Sequence, residues 1–310
     1  MPFIRHTYRL KEPMPAFLFL MRRLGVRQGE AQKIVGTGRL FMEGRQVENS
    51  GARICGHIEV TLFSPSPRGR RPIFETPDFA LFDKPSGVLV HPTTYRTPYS
   101  MLDEIRALYG ADANAIHRID METSGLLLAS RHKAAEQRLK VMFENRRIRK
   151  SYLAWVRGRI DTAFEVDAPL RRNDDFRTIK LKMLVHPEGK PAHTRFEPLA
   201  YDEALDATLL RILPLTGRQH QIRVHLFHVK HPILGDPIYG VEMDVAMRYL
   251  DKVLDEEARR YYMGASRLML HAQSLDFVYR GVRYVLESKE DFYAMRHLIT
   301  PPSNRAAPVG

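Results

Sequence analysis

Two apolar runs, HTRFEPLAY at 193–201 and ATLLRILPL at 207–215, follow one another with five residues between them. Parallel neighbours need a crossover of about a dozen residues or more, so a gap this short joins antiparallel strands. FALFDKP (79–85), GLLLAS (125–130), SYLAWVRG (151–158) and HAQSLDFVY (271–279) have the same strand character. SMLDEIRALYG (100–110), KAAEQRLKVMFEN (133–145), HQIRVHLFHV (220–229) and VAMRYLDKVLDEEARRYY (245–262) read as helices. Several neighbouring strands lack a helix between them. The expected fold is therefore α+β: a mixed, mainly antiparallel sheet with flanking helices, not a doubly wound parallel one.

Residues 14–63 read as a separate small α/β unit. PAFLFLMRRLG is a helix with Arg22 and Arg23 near its end and Gly25 as its stop, and RQGEAQKIVGTG is a second short helix. RLFMEGRQVENSG gives a strand, a turn at Glu43-Gly44-Arg45 and another strand, and HIEVTLF a third. SPSPRGRRP (64–72) is rich in Pro, Gly and Arg without apolar periodicity, the composition of a linker. The larger domain is expected over 73–298, and PPSNRAAPVG closes a tail, 299–310, expected to be disordered.

The 310 residues are 44% hydrophobic, enough for a real core, with 48 Lys+Arg against 36 Asp+Glu and a net charge of +12. A chain so basic is drawn to polyanions, of which nucleic acid is the commonest, although a merely soluble basic protein has the same balance. Cys55 is the only cysteine, which rules out an internal disulfide and leaves no thiolate zinc site. The N-terminus has no basic-then-apolar signal pattern, and the longest apolar runs are too short to span a bilayer. A soluble cytoplasmic monomer without membrane contact is expected.

The stretch HRIDMETSGLLL (117–128) sets His117, Arg118 and Asp120 in a polar turn just before an apolar strand. A carboxylate there can serve as nucleophile or general base. Alone, it reads more simply as a capping residue that satisfies backbone donors. Three further segments shift the balance. KPSGVLVHP (84–92) opens with Lys84 and turns at a glycine. LTGRQHQIRVH (215–225) crowds Arg218, His220, Gln221, Arg223 and His225 around a helix start, a setting suited to anions. SYLAWVRG puts Tyr152 just after the basic run RRIRK, with Arg146, Arg147, Arg149 and Lys150. A tyrosine beside arginines can stack on a base while the arginines hold phosphates. Each also has a plain reading: Tyr152 as a strand residue, the basic run as a solvated helix end, Lys84 as a turn flank.

His220, His225, His228 and His231 lack a carboxylate or cysteine at ligand spacing, and Arg223 repels a cation from the same turn, so no metal site is expected. Patterns for phosphate loops, dinucleotide binding, zinc proteases and nucleophile elbows are absent, so Ser124 is not an elbow serine. The chemistry is expected to need no cofactor.

HRIDMETSGLLL resembles the signature of the RluA family of pseudouridine synthases, His-Arg-(Leu/Ile)-Asp-x-x-Thr-Ser-Gly and an apolar run. DKPSGVLVHP, KSYLAWVRG, LTGRQHQIRVH, HPILGDPIYG and RLMLHAQSLDF resemble the family's other blocks, in its order, over roughly residues 73–295. Residues 14–63 resemble, more weakly, the α-L RNA-binding module that often precedes this domain. The resemblance implies a pseudouridine synthase fold acting on RNA, with Asp120 as the catalytic aspartate. It makes Arg118 the residue that enters the RNA stack when the uridine flips, Tyr152 the one that packs on the flipped base, and Arg223 the partner of Asp120. His117, Lys84, Arg146, Arg147, Arg149, Lys150 and Arg218 are the expected RNA contacts. Glu122 fills a variable position and is expected to put a negative charge near the RNA path. The implied reaction breaks the uracil N-glycosidic bond, turns the base and rejoins it through carbon, which calls for a carboxylate near the sugar. Large-subunit ribosomal RNA is the favoured target over transfer RNA. A non-catalytic RNA-binding or ribosome-assembly protein, or an N-glycosidase releasing free uracil, remain open on the same residues.

Overall fold

The computed structural model describes residues 2–173, 179 and 182–306. It divides into two compact units, Met1–Arg70 with Leu89–Asp112, and Arg71–Val88 with Ala113–Gly310.

The first unit is a four-stranded antiparallel sheet in the order β1-β4-β2-β3, with β1 Phe3–Pro15, β2 Leu40–Met42, β3 Arg45–Gln46 and β4 Arg53–Phe63. Helices α1 (Ala16–Leu24) and α2 (Gln28–Gly36) bury Ala16, Phe19, Leu20, Ala31, Ile34 and Val35 with Leu40, Ile54, Ile58 and Val60 of the sheet. The spacing of Ala16, Phe19 and Leu20 is one helical face. Most of strand β1 lies outside the expected 14–63. Only Leu10 of its thirteen residues is buried, so its period-two signal is faint, and its order comes from pairing with β4.

Helix α3 (Met101–Tyr109) belongs to the same unit. Asp103 closes a capping box with Ser100, and its other oxygen accepts from the Ser66 N–H at 2.9 Å. Glu104 accepts from the Arg68 N–H at 2.6 Å and the Tyr99 hydroxyl at 2.7 Å. The expected linker is thus no free tether: two buried carboxylates hold its backbone donors.

The second unit carries a ten-stranded sheet. Its strands are β5 Phe74–Glu75, β6 Phe79–Lys84, β7 Asn114–Ala115, β8 Ser124–Ser130, β9 Arg149–Arg157, β10 Phe164–Asp167, β13 His193–Asp202, β14 Ala207–Pro214, β15 Leu270–Tyr279 and β16 Val282–Glu287. A separate hairpin pairs β11 Leu170–Arg172 with β12 Met183–Val185. The main path runs β10-β13-β14-β9-β15-β8-β6-β5, with β16 on β15 and β7 on β8. Every pairing is antiparallel except β15 with β8. This is the expected mixed, mainly antiparallel sheet. All seven residues of β8 are buried, which fits its continuous apolar run.

Helices α4 (Lys133–Glu144), α5 (Gln221–His228), α6 (Met243–Leu250) and α7 (Glu256–Met263) complete the unit. The single helix expected over 245–262 is broken: Lys252 takes φ +60°, and Asp255 recaps the chain by accepting from the Ala258 N–H at 2.7 Å. The expected disordered tail is ordered through Ala306. The Arg305 guanidinium donates to the Leu205 carbonyl at 3.0 Å, and the Ala306 N–H to the Tyr261 carbonyl at 2.8 Å. Residues 307–310 lie outside the described residues.

Where β8 meets β15, Gly125 has φ +98°, and a Cβ there would sit 2.3 Å from the Ala272 carbonyl oxygen. Both the backbone angle and the close approach require glycine. Gly125→Ala should lower stability by about 2 kcal/mol or more, read as a fall in the thermal midpoint.

Candidate active site

The loop 116–123 runs between β7 and β8 and has no regular structure of its own, so its shape is set by side chains beneath it. The Lys84 ammonium is fully buried and donates to the carbonyls of Pro85, Val88 and Met121 at 2.8–2.9 Å. The Gly87 N–H adds a second bond to the Met121 carbonyl, and the Ser86 hydroxyl donates to the Glu122 carbonyl at 2.6 Å. Below the loop, Ser124 Oγ pairs with His271 Nδ1 at 2.8 Å, both without exposure. The KPSG turn is thus the mould for the segment carrying Asp120. Lys84 is corrected from an RNA contact to this internal role, since three carbonyls take up its charge away from the surface.

An open cavity of about 940 Å³ lies over this loop, within the size range of small-ligand sites. Asp120, Tyr152, Arg223, Arg118, His117, Arg146, Arg149, Lys150 and Arg218 all line it, from three separate stretches of chain. Arg147 and Lys84 do not.

The carboxylate is held from one side. Arg223, on α5, donates from one terminal nitrogen to Asp120 Oδ2 at 3.0 Å. Its other two donors form a bidentate pair with Asp236, at 2.7 and 2.8 Å. Asp236 Oδ1 also accepts the N–H groups of Ile238 and Tyr239, at 2.9 and 3.0 Å. Side-chain exposure is 4% for Arg223, 1% for Asp236 and 29% for Asp120. Burial pushes the Asp120 carboxyl upward, but Arg223 beside it, with His220, the Arg223 hydrogen bond and Arg118, outweighs this and holds it below the usual carboxylate range. Tyr152, on β9, is pushed upward by burial and by Asp120, so the phenol keeps its proton.

Arg118 is exposed at the rim and makes no side-chain hydrogen bond among the described residues, so its guanidinium is available to a ligand. His117 differs from the expectation. Its Nε2 accepts from the Leu128 N–H at 3.1 Å, and its ring stacks on Phe143 at 4.6 Å. Burial, then Lys150, depress it to about 3, so it is a neutral wall residue and not a phosphate-binding cation. Arg149 pairs with Asp276 at 2.7 Å, while Arg218 donates to the Pro191 carbonyl at 3.0 Å. Arg146 and Arg147 are exposed, and Lys150 is half-buried, its ammonium 5.9 Å from the Phe143 ring centre.

Glu122 is also corrected. It does not project a charge toward the cavity: its oxygens accept from the Tyr249 hydroxyl and from Arg259, each at 2.6 Å, tying α6 and α7 to the loop. Asp236 and Tyr239 were not singled out in the sequence, although HPILGDPIYG contains both. A buried arginine whose first carboxylate stays part-exposed needs a second acceptor, and that requirement is the signal that points to an aspartate nearby.

One carboxylate held ionised, one arginine clamped at its back, one neutral phenol and a rim of cations suit attack or proton abstraction at a sugar or base whose phosphates lie at the rim. The profile of the RNA pseudouridylate synthase family matches residues 78–228, which include β6, β8, β9, β14 and α5. An uncharacterized RNA pseudouridine synthase of Helicobacter pylori, strain J99, is 35% identical over 289 residues, 93% of this chain and 96% of its own. The chain belongs to the RNA pseudouridine synthase family. Its reaction is therefore the isomerisation of uridine to pseudouridine in RNA. The synthase is also 34% identical to the ribosomal large subunit pseudouridine synthase C of Vibrio cholerae, over 69% of this chain and 63% of that one. Against the ribosomal large subunit pseudouridine synthase D of Escherichia coli K12 it is 31% identical, over 67% and 65%. Two solved human structures share the fold. RNA pseudouridylate synthase domain containing 1 has a TM-score of 0.59 at 23% identity, over 79% of this chain and 94% of that one. RNA pseudouridylate synthase domain containing 4 has a TM-score of 0.54 at 23% identity, over 73% and 91%.

Two outcomes follow from this geometry. Arg223→Ala leaves Asp236 buried without its counter-charge and should destabilise the synthase by about 3–5 kcal/mol, measured by denaturant unfolding. With Asp120 depressed and Tyr152 raised, the rate should stay level between about pH 5 and 8, where an ordinary histidine changes charge. As pH falls, activity should be lost only when Asp120 takes up its proton, below the usual carboxylate range; an inflection near 6.5 in the pH–rate profile would contradict this.

Proposed function

We propose that Asp120 is the carboxylate that acts on the target nucleotide, and that Tyr152 packs against the extruded uracil while Arg118 fills the gap left in the RNA stack. The observation that carries this reading is the asymmetry of Asp120. Its Oδ2 faces Arg223, while Oδ1 carries no hydrogen bond among the described residues, and the side chain lines the same cavity as Tyr152. The N1–C1′ bond breaks and a C5–C1′ bond forms in its place; the C5 proton is lost and N1 gains one, so the sum is redox-neutral and consumes no water. Arg223 keeps Asp120 charged and aimed until it reacts. Arg146, Arg149, Lys150 and Arg218 meet phosphates at the rim.

The proposed substrate is large-subunit ribosomal RNA, in the cytoplasm. The names of the relatives from Vibrio cholerae and Escherichia coli support it, at 34% and 31% identity. So does the first unit: residues 1–70 and 89–112 hold fourteen Lys and Arg against eight Asp and Glu, a net of +6 out of the chain's +12. Charge so concentrated suits a backbone-binding module that brings a large structured RNA to the cavity.

Asp120→Asn keeps the size of the side chain and removes its charge. It should lower turnover by on the order of 10³-fold or more while RNA affinity stays within a few-fold. Mapping pseudouridine in total RNA of cells lacking the gene, and complemented with wild type or Asp120→Asn, reads both reaction and target. Loss of sites restored by wild type alone supports the reading; restoration by Asp120→Asn overturns it. Reversing Arg22 and Arg23 together to Glu should weaken binding to ribosomal RNA and flatten its salt dependence, leaving turnover on a short RNA unchanged.

A further inference from the structure

His220 is the residue of this cavity that the reaction scheme leaves without a task. It stands at the N-terminus of α5 with φ +54° and ψ +16°, a left-handed conformation that strains a non-glycine backbone. Such strain concentrates where a side chain must be aimed. Its side chain is 9% exposed, and Nε2 lies 3.8 Å from Asp120 Oδ2, the oxygen that Arg223 also holds.

The other ring nitrogen determines which proton state faces Asp120. Nδ1 is 3.0 Å from the Tyr239 hydroxyl. That hydroxyl already accepts from the Met183 N–H at 2.9 Å, and Tyr239 is only 2% exposed. A buried phenol needs an acceptor for its own hydrogen, and Nδ1 is the one within reach among the described residues. Tyr239 therefore donates to Nδ1. The proton of the neutral ring is left on Nε2, pointing at the carboxylate. Burial, then Arg223, hold His220 down at about 4, which keeps the ring neutral at working pH.

We propose that His220 is a positioning residue for Asp120: a neutral imidazole, fixed as the Nε2–H tautomer by Tyr239, that joins Arg223 on Oδ2 and leaves Oδ1 as the oxygen that meets the substrate. This rests on the reading of Asp120 as the reacting carboxylate. The 3.8 Å gap is longer than a hydrogen bond, and gaps of this kind close when a ligand seals the site. A neutral donor also suits the task, because a second full positive charge on Oδ2 would draw electron density from the oxygen that must react.

The test compares two substitutions with opposite losses. His220→Phe keeps the ring and loses the donor; His220→Gln loses the ring and keeps an amide N–H near the position of Nε2. The rate is read as tritium released from RNA carrying uridine labelled at C5, with KM and thermal midpoint measured alongside. His220→Phe should lower kcat about 10- to 100-fold with KM within about threefold, and His220→Gln should recover most of that loss. A purely structural role predicts the reverse order, Phe above Gln, and would overturn the inference. Nitrogen-15 spectra of the full-length protein, labelled at histidine and assigned by the resonance missing in His220→Gln, should show a protonated Nε2 and a bare Nδ1. The opposite tautomer also overturns it, whether or not the variants fold well. Asp120→Asn is run in parallel. If it stays active, the reading of Asp120 fails and takes this inference with it. If it is inactive while both His220 variants match wild type, only the inference fails.

Discussion

The ion chain Asp236–Arg223–Asp120 is the arrangement on which the cavity depends. A guanidinium buried to 4% exposure is tolerable only if its donors are paired and its charge is met. Asp236 does most of this, through two short hydrogen bonds in the planar fork geometry that suits arginine and not lysine. Asp236 is itself saturated, since its Oδ1 also accepts two backbone N–H groups. Of the two carboxylates on Arg223, one is therefore locked at 1% exposure and the other keeps a free oxygen at 29%. The protein thus separates the carboxylate that builds the site from the one with capacity left for chemistry.

The same division of labour appears under the loop. A segment without helix or strand can hold Asp120 only if its carbonyls have fixed partners. Lys84 and Gly87 meet the Met121 carbonyl and Ser86 meets that of Glu122, so three residues of one turn set the next two after Asp120. The Glu122 side chain then extends the frame outward to Tyr249 and Arg259. A buried lysine and a buried glutamate, both spent on architecture, leave the cavity to Asp120, Tyr152 and the rim cations.

Much of this was legible in the sequence, because the informative signals were local. Five residues between β13 and β14 left no room for a crossover, and the apolar run of β8 read as a strand. The resemblance of the segments around Asp120 and Arg223 to family blocks implied that the two are partners, although 103 positions separate them. What failed depended on distant partners. Lys84 looks like any lysine before a proline until three carbonyls converge on it. His117 looks cationic until the Leu128 N–H takes its lone pair. Strand β1 has too few buried residues to show a pattern and exists through its register with β4. The composition of 64–72 described a linker, but Pro, Gly and Arg carry no sign that its Ser66 and Arg68 N–H groups bond Asp103 and Glu104 some forty residues on.

Electrostatics also sorts the charged residues by what salt can reach. Arg223 and Asp236 exclude water, so added salt leaves their interaction nearly untouched, and the state of Asp120 with it. Arg118, Arg146 and Arg149 stand in solvent, where screening within about 10 Å at 0.1 M weakens any hold on phosphate. Glu122 would have cancelled part of that rim field had it faced the cavity; its bond to Arg259 turns it into an internal pair. On the proposed reading the basic rim acts on the approach and retention of RNA, and the buried chain acts on the reacting bond. Since the two respond to different variables, a change in ionic strength should move KM while kcat stays nearly level, a separation that the geometry of one arginine between two aspartates makes physically possible.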